Sequence, residues 1–152
     1  MHFAELLATR ICHDLSGPLN TLMAALEIAN EDPDGAADAL PVAGDASVVL
    51  GQRLRLLRAA WGGGGGPMAL DEIAALAAGL PGRNLRLDFG ELQAERQFSA
   101  PAARLVLNAL MLAAEALPGG GVIQLSGDSR RQVMLQLSGN GAGWPPGFIG
   151  CL

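Results

Sequence analysis

The 152-residue sequence predicts an α+β protein: an antiparallel helical hairpin that pairs with a second copy as a four-helix bundle, then a small α/β layer. Three observations lead there. Apolar residues recur at spacings of three and four through the first sixty positions, the period of amphipathic helices. A run of five glycines, Gly62 to Gly66, followed by Pro67, interrupts the chain. Beyond it the pattern changes to short alternating segments mixed with helices, which is how a sheet covered by helices is written.

The first helix is expected over Phe3 to Asn30, where Leu7, Ile11, Leu15, Leu19, Leu22, Leu26 and Ala29 form one stripe. Asp32-Pro33-Asp34-Gly35 opens a loop that runs to about Asp45 by its Gly, Pro and Ala content. A second helix is expected from Ala46 to Trp61, with Leu50, Leu54, Leu57 and Trp61 on one face and Arg53, Arg55 and Arg58 around them. A hairpin of two such helices cannot cover its own apolar surface; two-fold pairing with a second copy solves that problem, and packing of the stripe on the chain's own second half is the alternative. The domains are therefore 1–61, helical hairpin, and 68–152, α/β layer, with 62–67 as a flexible hinge or loop. In the second domain a short helix is expected over Leu70 to Leu80 and a strand at Leu85, Leu87 and Phe89. A helix starts at Ser99 and Pro101 and runs to about Leu117; strands follow at Val122 to Leu125 and Val133 to Leu137.

Composition excludes several functions. Half of the residues are hydrophobic and 16% are charged, a globular balance. No apolar run reaches the ~18–20 residues that span a bilayer, and no signal peptide is recognisable, so a cytoplasmic protein without membrane association is expected. The net charge is −5 and all ten basic residues are arginines. Nucleic-acid affinity comes largely from neutralising phosphates, so an acidic chain without a basic patch is not expected to bind nucleic acid. Cys12 and Cys151 lack metal-ligand spacing, and no metal or cofactor site is expected.

Chemistry converges on His13. Thr9, His13, Ser16 and Asn20 share a polar stripe away from the apolar face, which points the imidazole to solvent. A neutral imidazole nitrogen is a competent nucleophile toward phosphorus near neutral pH. Asp14 can accept a hydrogen bond from one ring nitrogen and leave the other to attack. Pro18, four residues on, has no N–H, so the Asp14 carbonyl loses its helical partner and the helix bends there. An interior proline costs roughly 3 kcal/mol, which suggests that the bend is used.

The run Arg10-Ile11-Cys12-His13-Asp14-Leu15-Ser16-Gly17-Pro18-Leu19 resembles the H-box of two-component signalling, in the form found in ChpT-type histidine phosphotransferases. Glu27 on the same helix fits that pattern too. The resemblance covers most of the chain. It implies a dimeric hairpin bundle that takes a phosphoryl group from one response-regulator receiver domain, including that of a hybrid kinase, and gives it to another. His13 and Asp14 would carry the chemistry. Thr9, Arg10, Ser16, Gly17, Asn20 and Arg53 would dock the receiver, which brings its own Mg²⁺.

The second domain resembles a degenerate histidine-kinase ATP-binding domain. In the kinase N-box two asparagines stand four residues apart and hold Mg²⁺ and phosphates. Asn108 matches the first, but Leu112 stands at the second and cannot ligate a hard cation. Kinases read D-x-G-x-G further on; here the stretch is Gly139-Asn140-Gly141-Ala142-Gly143, with glycine in place of the aspartate, and these glycines equally suit a turn after a strand. A phosphoryl carrier that binds no ATP is therefore expected. The alternatives are a non-catalytic dimeric module that holds a signalling partner and, less favoured, an active histidine kinase. Family members continue past the equivalent of Gly147 to Leu152, so the second domain is expected to be trimmed or completed differently.

Overall fold

A computed structural model describes residues 2–90, 92, 96–127 and 132–144. The tail from Gly147 to Leu152, with Cys151, lies outside them. The described chain divides into two compact units, Met1–Leu57 and Arg58–Leu152.

The first unit holds α1 (His2–Glu31) and most of α2 (Ala36–Trp61). α1 runs continuously through Pro18. The connection is far shorter than the loop to Asp45 expected from composition, and α2 begins ten residues before Ala46. Asp32-Pro33-Asp34-Gly35 completes the turn by itself. The Asp34 N–H donates to its neighbour Asp32 Oδ1 at 3.1 Å, a local closure typical of aspartate in turns. The Gly35 carbonyl then accepts from the N–H groups of Asp38 and Ala39, which starts the helix. The alanine-rich stretch that follows favours helix intrinsically. Pro41 lies inside α2, and the carbonyl it leaves without an amide partner belongs to Ala37, an exposed residue that water can reach.

The two helices are antiparallel. Arg53 hydrogen-bonds to Asp14, and these residues stand 18 positions after Gly35 and 18 before Asp32, at matching heights of a hairpin. What this unit buries is mostly small: Ala25, Ala39, Ala43 and Ala46, with Leu56 and Leu57 near its C-terminal end. Leu19, Met23, Leu26 and Ile28 of α1 and Leu40, Val42, Val48, Val49 and Leu54 of α2 are exposed.

The second unit holds two small sheets. β1 (Met68–Ala69) pairs antiparallel with β3 (Gln97–Phe98), two short strands that lack any legible alternation. α3 (Leu70–Leu76) follows β1 and tightens into a 3₁₀ turn over Ala77–Gly79, so the helix expected to Leu80 ends in a narrower turn. Its start is held by Glu72, whose carboxylate accepts from the Ala69 N–H at 2.6 Å. The main sheet has the order β2-β4-β5. β2 (Leu85–Asp88) runs parallel to β4 (Gly121–Ser126), and β4 runs antiparallel to β5 (Met134–Ser138).

α4 (Ala100–Glu115) bridges the crossover from β2 to β4, with Ser99 before it and Pro101 in its first turn. It buries Val106, Leu107, Leu110 and Met111, while β4 buries Ile123 and Leu125 on one face with strand period. The turn into β4 requires glycine: Gly120 and Gly121 have φ of 81° and 146°, and a Cβ on Gly121 would strike the Ser138 carbonyl. The Gly139-to-Gly143 stretch forms the turn after β5, where the Gly143 N–H donates to the Ala116 carbonyl at 3.0 Å. Among the described residues no helix is long and apolar enough to cross a membrane.

Candidate functional site

The site lies in the middle of α1 and is built from one helix face and one arginine of α2. Thr9, His13, Ser16, Gly17 and Asn20 are all exposed, as the polar spacing requires. The Thr9 and Ser16 hydroxyls donate back to the carbonyls of Glu5 and Cys12, at 2.8 and 2.6 Å, which leaves their oxygen lone pairs facing outward. Gly17 has open space beside it: beyond its immediate neighbours and the backbone of its own helix turn, no atom lies within 4 Å of where a Cβ would stand.

The His13 side chain is 85% exposed and the Asp14 side chain only 6%, although they are neighbours in sequence. Nδ1 of His13 lies 3.3 Å from Oδ1 of Asp14. A carboxylate can only accept there, so the contact suits the tautomer with the proton on Nδ1 and the lone pair on Nε2. The other carboxylate oxygen, Oδ2, accepts from Nε of Arg10 at 2.8 Å, one helical turn earlier. Both oxygens of Asp14 therefore have partners, which a carboxylate this deeply buried needs.

The Asp14 backbone is held as well. Pro18 occupies the position whose N–H would bond the Asp14 carbonyl. Nη1 of Arg53 donates to that carbonyl instead, at 3.1 Å, from 39 residues away in sequence. A hydrogen bond from a charged donor contributes about 1.5–3 kcal/mol, the same order as the cost of an interior proline. Burial pushes the Arg53 guanidinium down from its ordinary value; Asp14 opposes that shift and Arg10 adds to it. It stays charged at physiological pH, as arginine does throughout proteins. Its Nε is buried and has no hydrogen-bond partner among the described residues.

Arg10 and Arg53, expected on the docking face, thus both engage Asp14. The spacing of Arg10 to Asp14 is an i,i+4 pair that the sequence displays openly. Arg53 could not be found that way. The sequence shows that Pro18 strips a partner from the Asp14 carbonyl, but not which donor replaces it. Arg55 and Arg58 are exposed, and Cys12 is an exposed free thiol beside the histidine.

In the second unit Asn108 has both ends of its amide committed. Its Oδ1 accepts from Nε1 of Trp61 at 2.7 Å, and its Nδ2 donates to the Arg104 carbonyl at 2.7 Å.

No curated protein matches the sequence. A solved structure described as a bacterial phosphotransferase, at 1.7 Å, is similar to the chain with a TM-score of 0.78 and 25% identity, over 96% of this chain and 72% of that one. The sequence model of the histidine phosphotransferase C-terminal domain matches residues 70–148, slightly more than half of the 152. With that match the chain belongs to the histidine phosphotransferase family.

Proposed function

We propose that this protein relays a phosphoryl group between response-regulator receiver domains through a phosphohistidine on His13, without binding ATP. The observation that carries this is the contrast at one point of α1: an imidazole 85% exposed, held at Nδ1 by a buried carboxylate. Nε2 is the ring nitrogen left free to attack.

In the forward step the Nε2 lone pair attacks the phosphorus of a receiver's aspartyl phosphate. A P–N bond forms as the P–O bond to the receiver's carboxylate breaks, and that carboxylate leaves with the electron pair. The positive charge that develops on the ring is stabilised by Asp14 through Nδ1. Mg²⁺ brought by the receiver would neutralise the phosphoryl oxygens; the second transfer reverses these steps onto another receiver. Phosphoryl transfer of this kind depends on positioning and electrostatics more than on covalent machinery. The exposed stripe of Thr9, Ser16, Gly17 and Asn20 beside His13 suits a docking receiver.

The working unit is a homodimer. Leu19, Met23 and Leu26 form an exposed apolar stripe on α1 at helical spacing, turned about 80° around the axis from the polar stripe at 100° per residue. A second copy can cover it while His13 stays open to a receiver. The lack of ATP binding is supported by the Asn108 amide, which is occupied by Trp61 and Arg104, and by Leu112 where a second oxygen ligand would stand.

The test is transfer of labelled phosphate from phosphorylated receiver domains to the protein and to His13→Ala, without ATP. Acid-labile label on the wild type and none on the variant is expected. Absence of label on the folded wild type across several receivers would overturn the relay and favour a non-catalytic binding module.

A further inference from the structure

α1 and α2 each carry an interior proline, and the two are treated differently. Pro41 leaves the carbonyl of Ala37 without an amide partner, and Ala37 is exposed. Pro18 leaves the carbonyl of Asp14, which is buried, and an arginine from the other helix reaches it. Holding Arg53 there has a cost. Its guanidinium is partly desolvated, and its Nε is buried without a hydrogen bond. An arginine serving only as surface charge would meet neither cost. The Asp14 carbonyl it holds belongs to the residue whose side chain contacts His13 Nδ1.

We propose that Arg53 is a positioning residue for phosphoryl acceptance by His13: Nη1 replaces the amide that Pro18 lacks and so fixes the backbone of Asp14, whose carboxylate orients the imidazole. This rests on the relay function and assigns that site a residue from the second helix. The carboxylate is steadied from two sides. Arg10 holds Oδ2 from the same helix, and Arg53 holds the main chain across the hairpin. With the main chain fixed, the Oδ1 contact selects the tautomer that frees Nε2. Without Arg53 the buried carbonyl seeks water or another donor, the turn carrying Asp14 shifts, and the imidazole loses its preferred tautomer. Pro18 and Arg53 therefore act as a pair. Each makes sense only with the other, which gives the idea a specific test.

The experiment is a double-mutant cycle on the full chain with two readouts. The first is the rate of phosphoryl transfer from a phosphorylated receiver domain. The second is the tautomer of His13, read from its ring ¹⁵N chemical shifts without any receiver. Arg53→Ala is expected to slow transfer about tenfold and to lower the share of the Nδ1–H tautomer, a coupling of ordinary size for groups in direct contact. Arg53→Lys keeps a cationic donor and should recover part of both. In Pro18→Ala the amide returns to the Asp14 carbonyl, and adding Arg53→Ala to that background should change neither readout by more than about twofold. Pro41→Ala should give no such protection. Equal rates and tautomers for wild type and Arg53→Ala would overturn the proposal, and so would an equal loss in the two Pro18 backgrounds. If the wild type accepts no label from any receiver, the relay function fails, while the ¹⁵N spectra still decide whether Arg53 positions the histidine.

Discussion

The two units of this protein solve the problem of a small core in opposite ways. The second closes on itself. Ile73, Leu107, Leu110, Leu117, Ile123 and Leu125 are almost completely withdrawn from water, and helix and sheet faces meet with their periods matched. The hairpin buries alanines and leaves large side chains outside, with Met23 at 61% and Ile28 at 52% exposure. A fully buried Leu, Ile or Met contributes about 1.5–3 kcal/mol and an alanine much less. The hairpin thus draws far less stability from the burial of large side chains than the second unit does. The difference teaches where each function is stored. The unit with the complete core carries no exposed nucleophile beside a buried acid among its described residues. The unit that buries mostly alanine carries His13 on an exposed face of α1.

The largest expected effect that sharpens this contrast lies in the second unit. Leu107→Ala removes a side chain with no exposure and should lower that unit's stability by about 3–5 kcal/mol, from lost transfer energy plus the cavity left behind. Both tryptophans, Trp61 and Trp144, belong to this unit, so their fluorescence during urea denaturation follows it selectively. The midpoint should fall clearly and should not depend on protein concentration. A cost below about 1 kcal/mol would mean that the core around α4 is loose enough to collapse, and the contrast between the units would weaken.

The next effect is on the hairpin. Met23→Glu places a charge in the exposed apolar stripe without disturbing helix propensity, since glutamate is a good helix former. Burying that charge against a second copy should cost about 3 kcal/mol, roughly a hundredfold in the dimer dissociation constant. Sedimentation equilibrium of both proteins over a range of concentrations measures it directly. The wild-type hairpin's thermal transition should also rise with protein concentration, because association stabilises the folded form by mass action. A monomeric wild type, or a variant that associates as tightly, would remove the second copy from the account of that apolar face.

Much of this was legible in the sequence, and the failures are physical. Elements with a strong period lie within a few positions of where the pattern puts them: α1, α4, β4 and β5. The start of α2 differs from the expectation because proline and glycine, ordinarily loop formers, stand here inside a helix. Asp32 to Gly35 closes the turn in four residues, and the alanines around Pro41 sustain a helix in which the carbonyl that loses its amide partner belongs to an exposed residue, Ala37. β1 and β3 are two residues each, too short for alternation to register. At the site, exposure of the polar stripe follows from spacing alone, and a bond from one ring nitrogen of His13 to Asp14 follows from their chemistry, whereas the choice of Nδ1 comes from the geometry. The tie from Arg53 to the Asp14 carbonyl joins residues 39 apart. It depends on the register of two helices, which a hydrophobic stripe leaves free by a turn.

The smallest expected effect concerns Gly17, where the two kinds of demand separate. A glycine inside a helix is about 0.5–1 kcal/mol less favourable than alanine. Packing does not ask for it, since a Cβ at this position would meet nothing within 4 Å. Gly17→Ala should therefore raise the hairpin's stability by that amount, measured as a small upward shift in its thermal midpoint by circular dichroism. The open space lies one turn beyond His13 on the docking side. If a receiver's main chain comes close there, the added methyl, and more so the side chain of Gly17→Leu, should slow phosphoryl transfer while the fold becomes firmer. Opposite signs in the two measurements would assign the glycine to docking. Faster or unchanged transfer with the leucine variant would show that the receiver approaches His13 from another side of the helix, and the stripe of Thr9, Ser16 and Asn20 would lose its role with it.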